Sequence, residues 1–192
     1  MSETEKKIHG AIADWLGDLV ALETHVEEAM DRQLKLESTD PQVTAAIRRF
    51  HDAVRDSKQR AVDYQAQYGS EPGNPIIKAG SNLLGKVAGL IDTIREDGAS
   101  KALRDDSTAY NLLTTAYTMM LITAKALDDT ETQAFAEQGM RTYAKLVQEI
   151  NHLLPDAVLA DLKDNEDHPL QNTNIVTECR AIIQNVWQST AS

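Results

Sequence analysis

Through the first part of the chain, apolar side chains recur every three to four residues. Ile12, Trp15, Leu16, Leu19, Leu22, Val26 and Met30 keep a period near 3.6, which predicts an amphipathic helix from about Lys6 to Leu36. The stretch 37-ESTDPQ-42 reads as a turn, with Asp40 placed to cap the next helix and Pro41 at its first position. The second helix follows Val43, Ile47, Phe50, Val54, Ala61 and Tyr64 to about Tyr68, and the Gly- and Pro-rich 69-GSEPGNP-75 stops it. A shorter helix is expected over 76–97, carrying Leu83, Leu84, Val87, Leu90, Ile91 and Ile94. Gly80, Gly85 and Gly89 weaken it as an isolated helix and point to close packing on a neighbour. A long third helix is expected from about Asp105 to Leu127, and a fourth from Thr132 to Leu154, ended by Pro155. A short helical piece, the acidic stretch 163-KDNEDHPLQNTN-174 and a terminal helix over about 175–188 complete the pattern.

Four long helices with a roughly 36-residue excursion between the second and third imply two antiparallel hairpins joined by a long crossover. The expected fold is all-α: a ferritin-like antiparallel four-helix bundle with a helical crossover and an extra C-terminal helix. Residues 1–160 form the bundle in this reading, 161–174 an acidic linker, and 175–192 a docking or dimerisation helix.

Composition narrows the partners. The formal net charge of −11 repels phosphate backbones and anionic headgroups, so neither nucleic acid nor a membrane surface is an expected partner. No stretch approaches the roughly 18 apolar residues of a membrane span. The acidic opening lacks a secretory h-region, and the single cysteine, Cys179, permits no intramolecular disulfide. A cytoplasmic location is expected. No nucleophile elbow, P-loop or dinucleotide fingerprint occurs.

The helix lengths, the Gly-rich 80-GSNLLGKVAGLIDTIRED-97 and 107-STAYNLLTTAYTMM-120 give the chain a likeness over about Ile12 to Pro155. It resembles the bacterial ferritin-like stress proteins of the DUF892 family. The resemblance implies a Glu-His-Tyr-Glu run shortly before an Ala-Ala-Tyr on the third helix. With Ala116 and Tyr117 in that Ala-Tyr place, the run falls on Tyr110, Asn111, Leu112 and Leu113, which hold no carboxylate and no imidazole. The family's metal chemistry is therefore not expected to carry over intact.

Facing can be estimated from the turn of about 100° per residue. A di-iron bundle needs inward carboxylates on two helices and an inward Glu-x-x-His pair on each of the other two. With Leu19 at the centre of the first stripe, Glu23 lies about 40° off centre, Glu27 about 80° and His25 about 120°. Glu23 is thus the one acid aimed into the bundle, satisfied either by Arg, Tyr or water or by a metal. His51 sits about 100° from Phe50, at the edge of its stripe, where a hydrogen bond to a neighbouring helix is the plainer role. With Ala116 central on the third helix, the inward set is Ala109, Leu112, Leu113, Met119, Met120, Thr123 and Leu127, none of which can donate a carboxylate. The literal match 149-EINH-152 turns His152 about 160° from the core. The acidic 164-DNEDH-168 fits neither an EF-hand nor a zinc site, and Cys179 reads as a packed thiol.

On that phasing Tyr110, Tyr117, Leu121 and Ile122 form a second apolar side of the third helix, the expected surface of a homodimer. The functional expectation is a non-catalytic, stress-associated, homo-oligomeric structural or interaction protein that needs no cofactor. One alternative is an iron- or manganese-binding ferroxidase-like or carboxylate-bridged oxidase using Glu23, Glu27, His51 and Glu149. Another is a carrier of a small apolar ligand in an interior lined by Met119 and Met120.

Overall fold

The computed structural model describes residues 3–35, 38, 40–70, 98–163, 172 and 174–189. Every regular element among them is helical: α1 Glu3–Gln33, α2 Pro41–Ser70, α3 Ala99–Ala126, α4 Thr130–Lys163 and α5 Val176–Ser189. The expected helix over 76–97 and the acidic 164–168 lie outside the described residues.

Local chemistry explains the boundaries. Asp40 caps α2 as its sequence promised: its Oδ1 accepts the N–H of Gln42 at 2.8 Å. Gly98 precedes α3 at φ 90°, a left-handed conformation open to glycine. The Asp161 carboxylate then takes the Ser100 N–H at 2.9 Å, so α4 supplies the cap that Gly98 cannot. That cap lets α3 start at Ala99 instead of the expected Asp105. Asp129 caps α4 through the N–H of Thr132 at 2.9 Å. The expected break at Pro155 does not occur, and α4 runs through it to Lys163. Pro155 denies an N–H to the carbonyl one turn back. Beside that gap Arg180 of α5 donates to the His152 carbonyl at 3.0 Å and pairs with the Asp156 carboxylate. Packing of α5 thus serves the stretch that proline weakens.

Contacts give the direction of four packed pairs. On α1 and α2, Glu23 meets Ser57 while Asp31 meets His51. On α3 and α4, Ser100 meets Asp161 while Tyr117 packs on Tyr143. Between the hairpins, Gln33 meets Asp106 as Glu23 meets Tyr117, and Tyr64 meets Thr132 as Arg49 meets Glu149. Each of these four pairings is antiparallel, so α2 and α3 run parallel to each other across the diagonal. The end of α2 and the start of α3 therefore lie at opposite ends of the molecule.

The interior is a continuous apolar core fed by α1–α4, with Leu19, Val26, Phe50, Val54, Leu113, Met120 and Ile150 among its buried members. On α3 the buried face is Leu103, Asp106, Ala109, Tyr110, Leu113, Tyr117, Met120 and Ala124. This corrects the expected phasing. Tyr110 and Tyr117 are fully inside, while Leu112 and Met119 are exposed and Ile122 is 63% exposed. The centre of the stripe lies near Tyr117, about 100° from Ala116. A tyrosine ring buries large apolar area and goes inside wherever its hydroxyl finds an acceptor, as both do here. The side of α3 turned from the core keeps its polar groups at home: Thr108, Asn111, Thr115 and Thr123 each donate to the carbonyl four residues earlier.

Candidate functional site

Glu23 is fully buried at mid-height of the core, on the apolar stripe of α1. Each other helix of the two hairpins sends it one hydroxyl. Ser57 Oγ of α2 donates at 2.7 Å, Tyr117 OH of α3 at 2.9 Å and Tyr143 OH of α4 at 2.8 Å, all to Oε1. Three donors converging on one oxygen suit a carboxylate bearing its charge there. The second oxygen, Oε2, is buried and has no hydrogen-bond partner among the described residues. Burial pushes the Glu23 pKa up, against the three hydroxyls and the positive Arg60, which hold it down. Both phenols are pushed well above the usual tyrosine value, first by burial and then by the Glu23 charge.

Close packing sets the site's geometry. Tyr117 and Tyr143 stack with ring centroids 6.0 Å apart and planes 24° from parallel. Gly139, one turn before Tyr143, leaves the space that the Tyr117 ring fills; a Cβ there would land on ring carbons. Ring atoms cannot swing away as a flexible chain end can. Gly139→Ala is therefore expected to destabilise by about 2–3 kcal/mol by overpacking, although alanine favours helix, and urea unfolding measures it.

A second buried carboxylate, Asp106 of α3, lies toward the C-terminal end of α1. Its Oδ1 accepts from Gln33 Nε2 of α1 at 2.7 Å. Asp106 Oδ2 and Gln33 Oε1 are both buried without a hydrogen-bond partner among the described residues. Burial is the main reason that the Asp106 pKa is raised from 3.8 to about 7, and neighbouring Asp105 adds to it. This inward acid overturns the expectation that the third helix brings no carboxylate. The missed signal was spacing: Asp106, Ala109, Tyr110, Leu113, Tyr117 and Met120 follow a three–four pattern.

The remaining candidates have separate partners. Glu27, half-buried, is ion-paired with Lys58. His51 Nε2 meets Asp31 Oδ1 of α1 at 2.7 Å, the neighbouring-helix bond expected of it. Glu149 is partly exposed between Arg49 at 3.9 Å and Lys145 at 3.7 Å. His152 is exposed, as expected, and half-buried His25 lies 3.6 Å from Glu28. No group of three or more His, Cys, Asp or Glu side chains able to hold a metal occurs among the described residues. The four proposed ligands are not gathered into such a group, and hydroxyls, which are poor replacements for carboxylate and imidazole, surround Glu23. Those described residues do not fit a di-metal centre. The expected Met-lined interior is also corrected: Met120 is packed in the core, whereas Met119 is 42% exposed. An open groove of about 650 Å³ lies elsewhere, between the start of α2 (Asp40 to Gln42) and the end of α4 (Asp156 to Lys163).

Sequence reasoning found Glu23 and a tyrosine as one of its candidate partners, but not which tyrosines. Ser57 and Tyr143 carried no motif; Gly139 at one turn's spacing from Tyr143 was the available hint. No described helix is long and apolar enough to cross a membrane. No curated protein and no solved structure gives a significant match. A family model described as a domain of unknown function, DUF892, matches residues 8–163, which takes in α1 to α4 almost entirely, and the chain belongs to that family.

Proposed function

We propose that this chain is a ferritin-like bundle serving as a homo-oligomeric structural or interaction protein, in keeping with the stress-associated role that its resemblance implies. The carrying observation is the arrangement at Glu23. An inward carboxylate on the first helix, where a metal ligand would stand, is occupied on one oxygen by hydroxyls from three other helices. It works as a tie between both hairpins. The parallel course of α2 and α3 supports the ferritin-like connectivity, since two hairpins related in this way need a long crossover.

The oligomer surface in this proposal is the exposed stripe of α3, Leu112, Met119 and Ile122, which replaces the surface assigned to Tyr110 and Tyr117. Leu121 packs partly against the core beside it. One observation favours the alternative of a divergent iron or manganese site: Glu23 Oε2 has no hydrogen-bond partner among the described residues.

Light scattering after size exclusion should give a dimer at micromolar concentration, and Ile122→Asp should give a monomer. A monomeric parent would overturn the surface. Metal analysis belongs to the same preparation, grown with added iron and manganese. Stoichiometric metal that disappears in Glu23→Gln would replace the structural reading by the metal-binding one.

A further inference from the structure

The chain has five tyrosines and two phenylalanines, and every one of them belongs to a single path of touching rings. Its central run starts at half-buried Tyr64, which stacks on Phe135 at 4.2 Å and 12°. Phe135 meets Tyr117 at 5.7 Å, Tyr117 meets Tyr143 at 6.0 Å, and Tyr143 meets Tyr110 at 5.8 Å. Core packing alone would be content with leucine at these places. Phenols add a chemistry that leucine lacks: loss of one electron, made easier when a base stands on the hydroxyl to receive the proton.

The hydroxyls along the path differ in that respect. Thr132 Oγ1 donates to Asp129 Oδ2 at 2.5 Å, so Tyr64 OH, 2.7 Å from the same Oγ1, must be the donor to it. Tyr64 thus reaches a carboxylate through one intervening hydroxyl. Tyr110 OH donates to Met30 sulfur at 3.0 Å, a feeble base. Tyr117 and Tyr143 both donate straight to one carboxylate, and that carboxylate is buried. Its Oε2 has no hydrogen-bond partner among the described residues, and burial strengthens its hold on a proton.

We propose that the ring path is a sink for one-electron oxidation, in which an oxidising equivalent entering at Tyr64 settles on the Tyr117–Tyr143 pair while Glu23 takes up the phenolic proton. The oxidant is an oxygen-centred radical or another one-electron acceptor. It removes one electron from the Tyr64 phenol, whose proton passes to Thr132 Oγ1 as Thr132 gives its own to Asp129. One electron then crosses by way of Phe135 from Tyr117, and Tyr64 regains its proton by the reverse route. The Tyr117 proton moves to Glu23 Oε1. In sum, one electron goes from Tyr117 to the oxidant and one O–H bond breaks on Tyr117 as one forms on Glu23. The radical rests there because Tyr110 has only a thioether sulfur as acceptor and Tyr64 reaches Asp129 through Thr132, while Tyr68, whose OH lies 2.8 Å from His9 Nδ1, stands beyond Tyr64 and off the central run. This activity goes beyond the structural role and does not depend on oligomeric state.

The test uses the full chain carrying Trp187→Phe, which removes an exposed indole that would compete. Photogenerated tris(bipyridine)ruthenium(III) serves as oxidant, with persulfate as the sacrificial acceptor. Freeze-quench electron paramagnetic resonance counts phenoxyl separately from indolyl radical. The parent should give a phenoxyl signal persisting for at least seconds. Glu23→Gln and Phe135→Leu, each checked for helicity, should lower its yield or lifetime at least tenfold, the first by removing the base and the second by breaking the ring path. A Glu23→Gln protein with the parent's yield and lifetime would overturn the proposal. Should Glu23→Gln fail to fold, the paired variant Tyr117→Phe with Tyr143→Phe keeps ring volume and decides the matter: loss of the long-lived signal supports the sink, and its survival overturns it.

Discussion

Glu23→Ala should lower stability by about 3–5 kcal/mol, seen as a fall in melting temperature of roughly 10 °C. Three buried hydroxyls lose their acceptor at once, on α2, α3 and α4, and each orphaned donor costs on the order of 1–3 kcal/mol. The cavity adds to this, since neighbours collapse incompletely around a deleted side chain. Escape from burial of a charge offsets part of the loss, which is why the sum stops short of three full penalties. Glu23→Gln separates the contributions. Its amide oxygen still accepts at the Oε1 position, and the loss should fall to about 1–2 kcal/mol. Alanine and glutamine variants of equal stability in urea would show that the hydroxyl cluster is not what holds the hairpins together.

Raising the pH through neutrality should weaken the fold at Asp106, and Asp106→Asn should abolish that part of the pH dependence. Asp106 Oδ2 and Gln33 Oε1 are both acceptors, buried and unpartnered among the described residues, while the other atoms of the two groups already share a hydrogen bond. One proton on Oδ2 supplies the missing donor and lets acid and amide pair twice. The folded pKa is about 7 against 3.8 for the ordinary group. Between those values the folded chain holds a proton that the unfolded chain has released. Stability therefore falls as pH rises across that window, by up to roughly 4 kcal/mol if the shift is fully expressed. Asparagine presents a permanent N–H to Gln33 Oε1 and does not titrate. At pH 8 the variant should exceed the parent by about 2 kcal/mol, and near pH 5 the two should be close. Parallel profiles for variant and parent, measured by urea unfolding, would refute the assignment.

How far the molecule could be read from its chain follows from what periodicity detects. Helices on a clear stripe were legible: Leu19, Leu22 and Val26 fixed the inner face of α1, which placed Glu23 inside. The third helix was misread because its stripe is built from tyrosines, whose polar tips resemble surface residues until a partner is known. The carboxylate on α1 and the tyrosines on α3 and α4 explain one another, and neither is interpretable alone. Helix ends failed for a similar reason. Asp161, far along the chain, caps α3, and Arg180 of α5 accompanies α4 past Pro155. Such contacts are tertiary, and a sequence window does not contain them. Asp40 capped its own helix and was read correctly.

Glu23 also bears on how the chain finds a single assembly. Its partners stand 34, 94 and 120 residues away in sequence. Each hairpin can gather itself from nearer contacts, and loop closure delays the distant ones. An apolar stripe by itself tolerates sliding, because leucine meets leucine one turn up or down almost as well. A carboxylate does not: one turn of slip, about 5.4 Å, carries it past the hydroxyls and leaves a bare charge among aliphatic side chains. Glu23 is thus a key to the register between hairpins, raising the energy of every shifted assembly more than it lowers the energy of the right one.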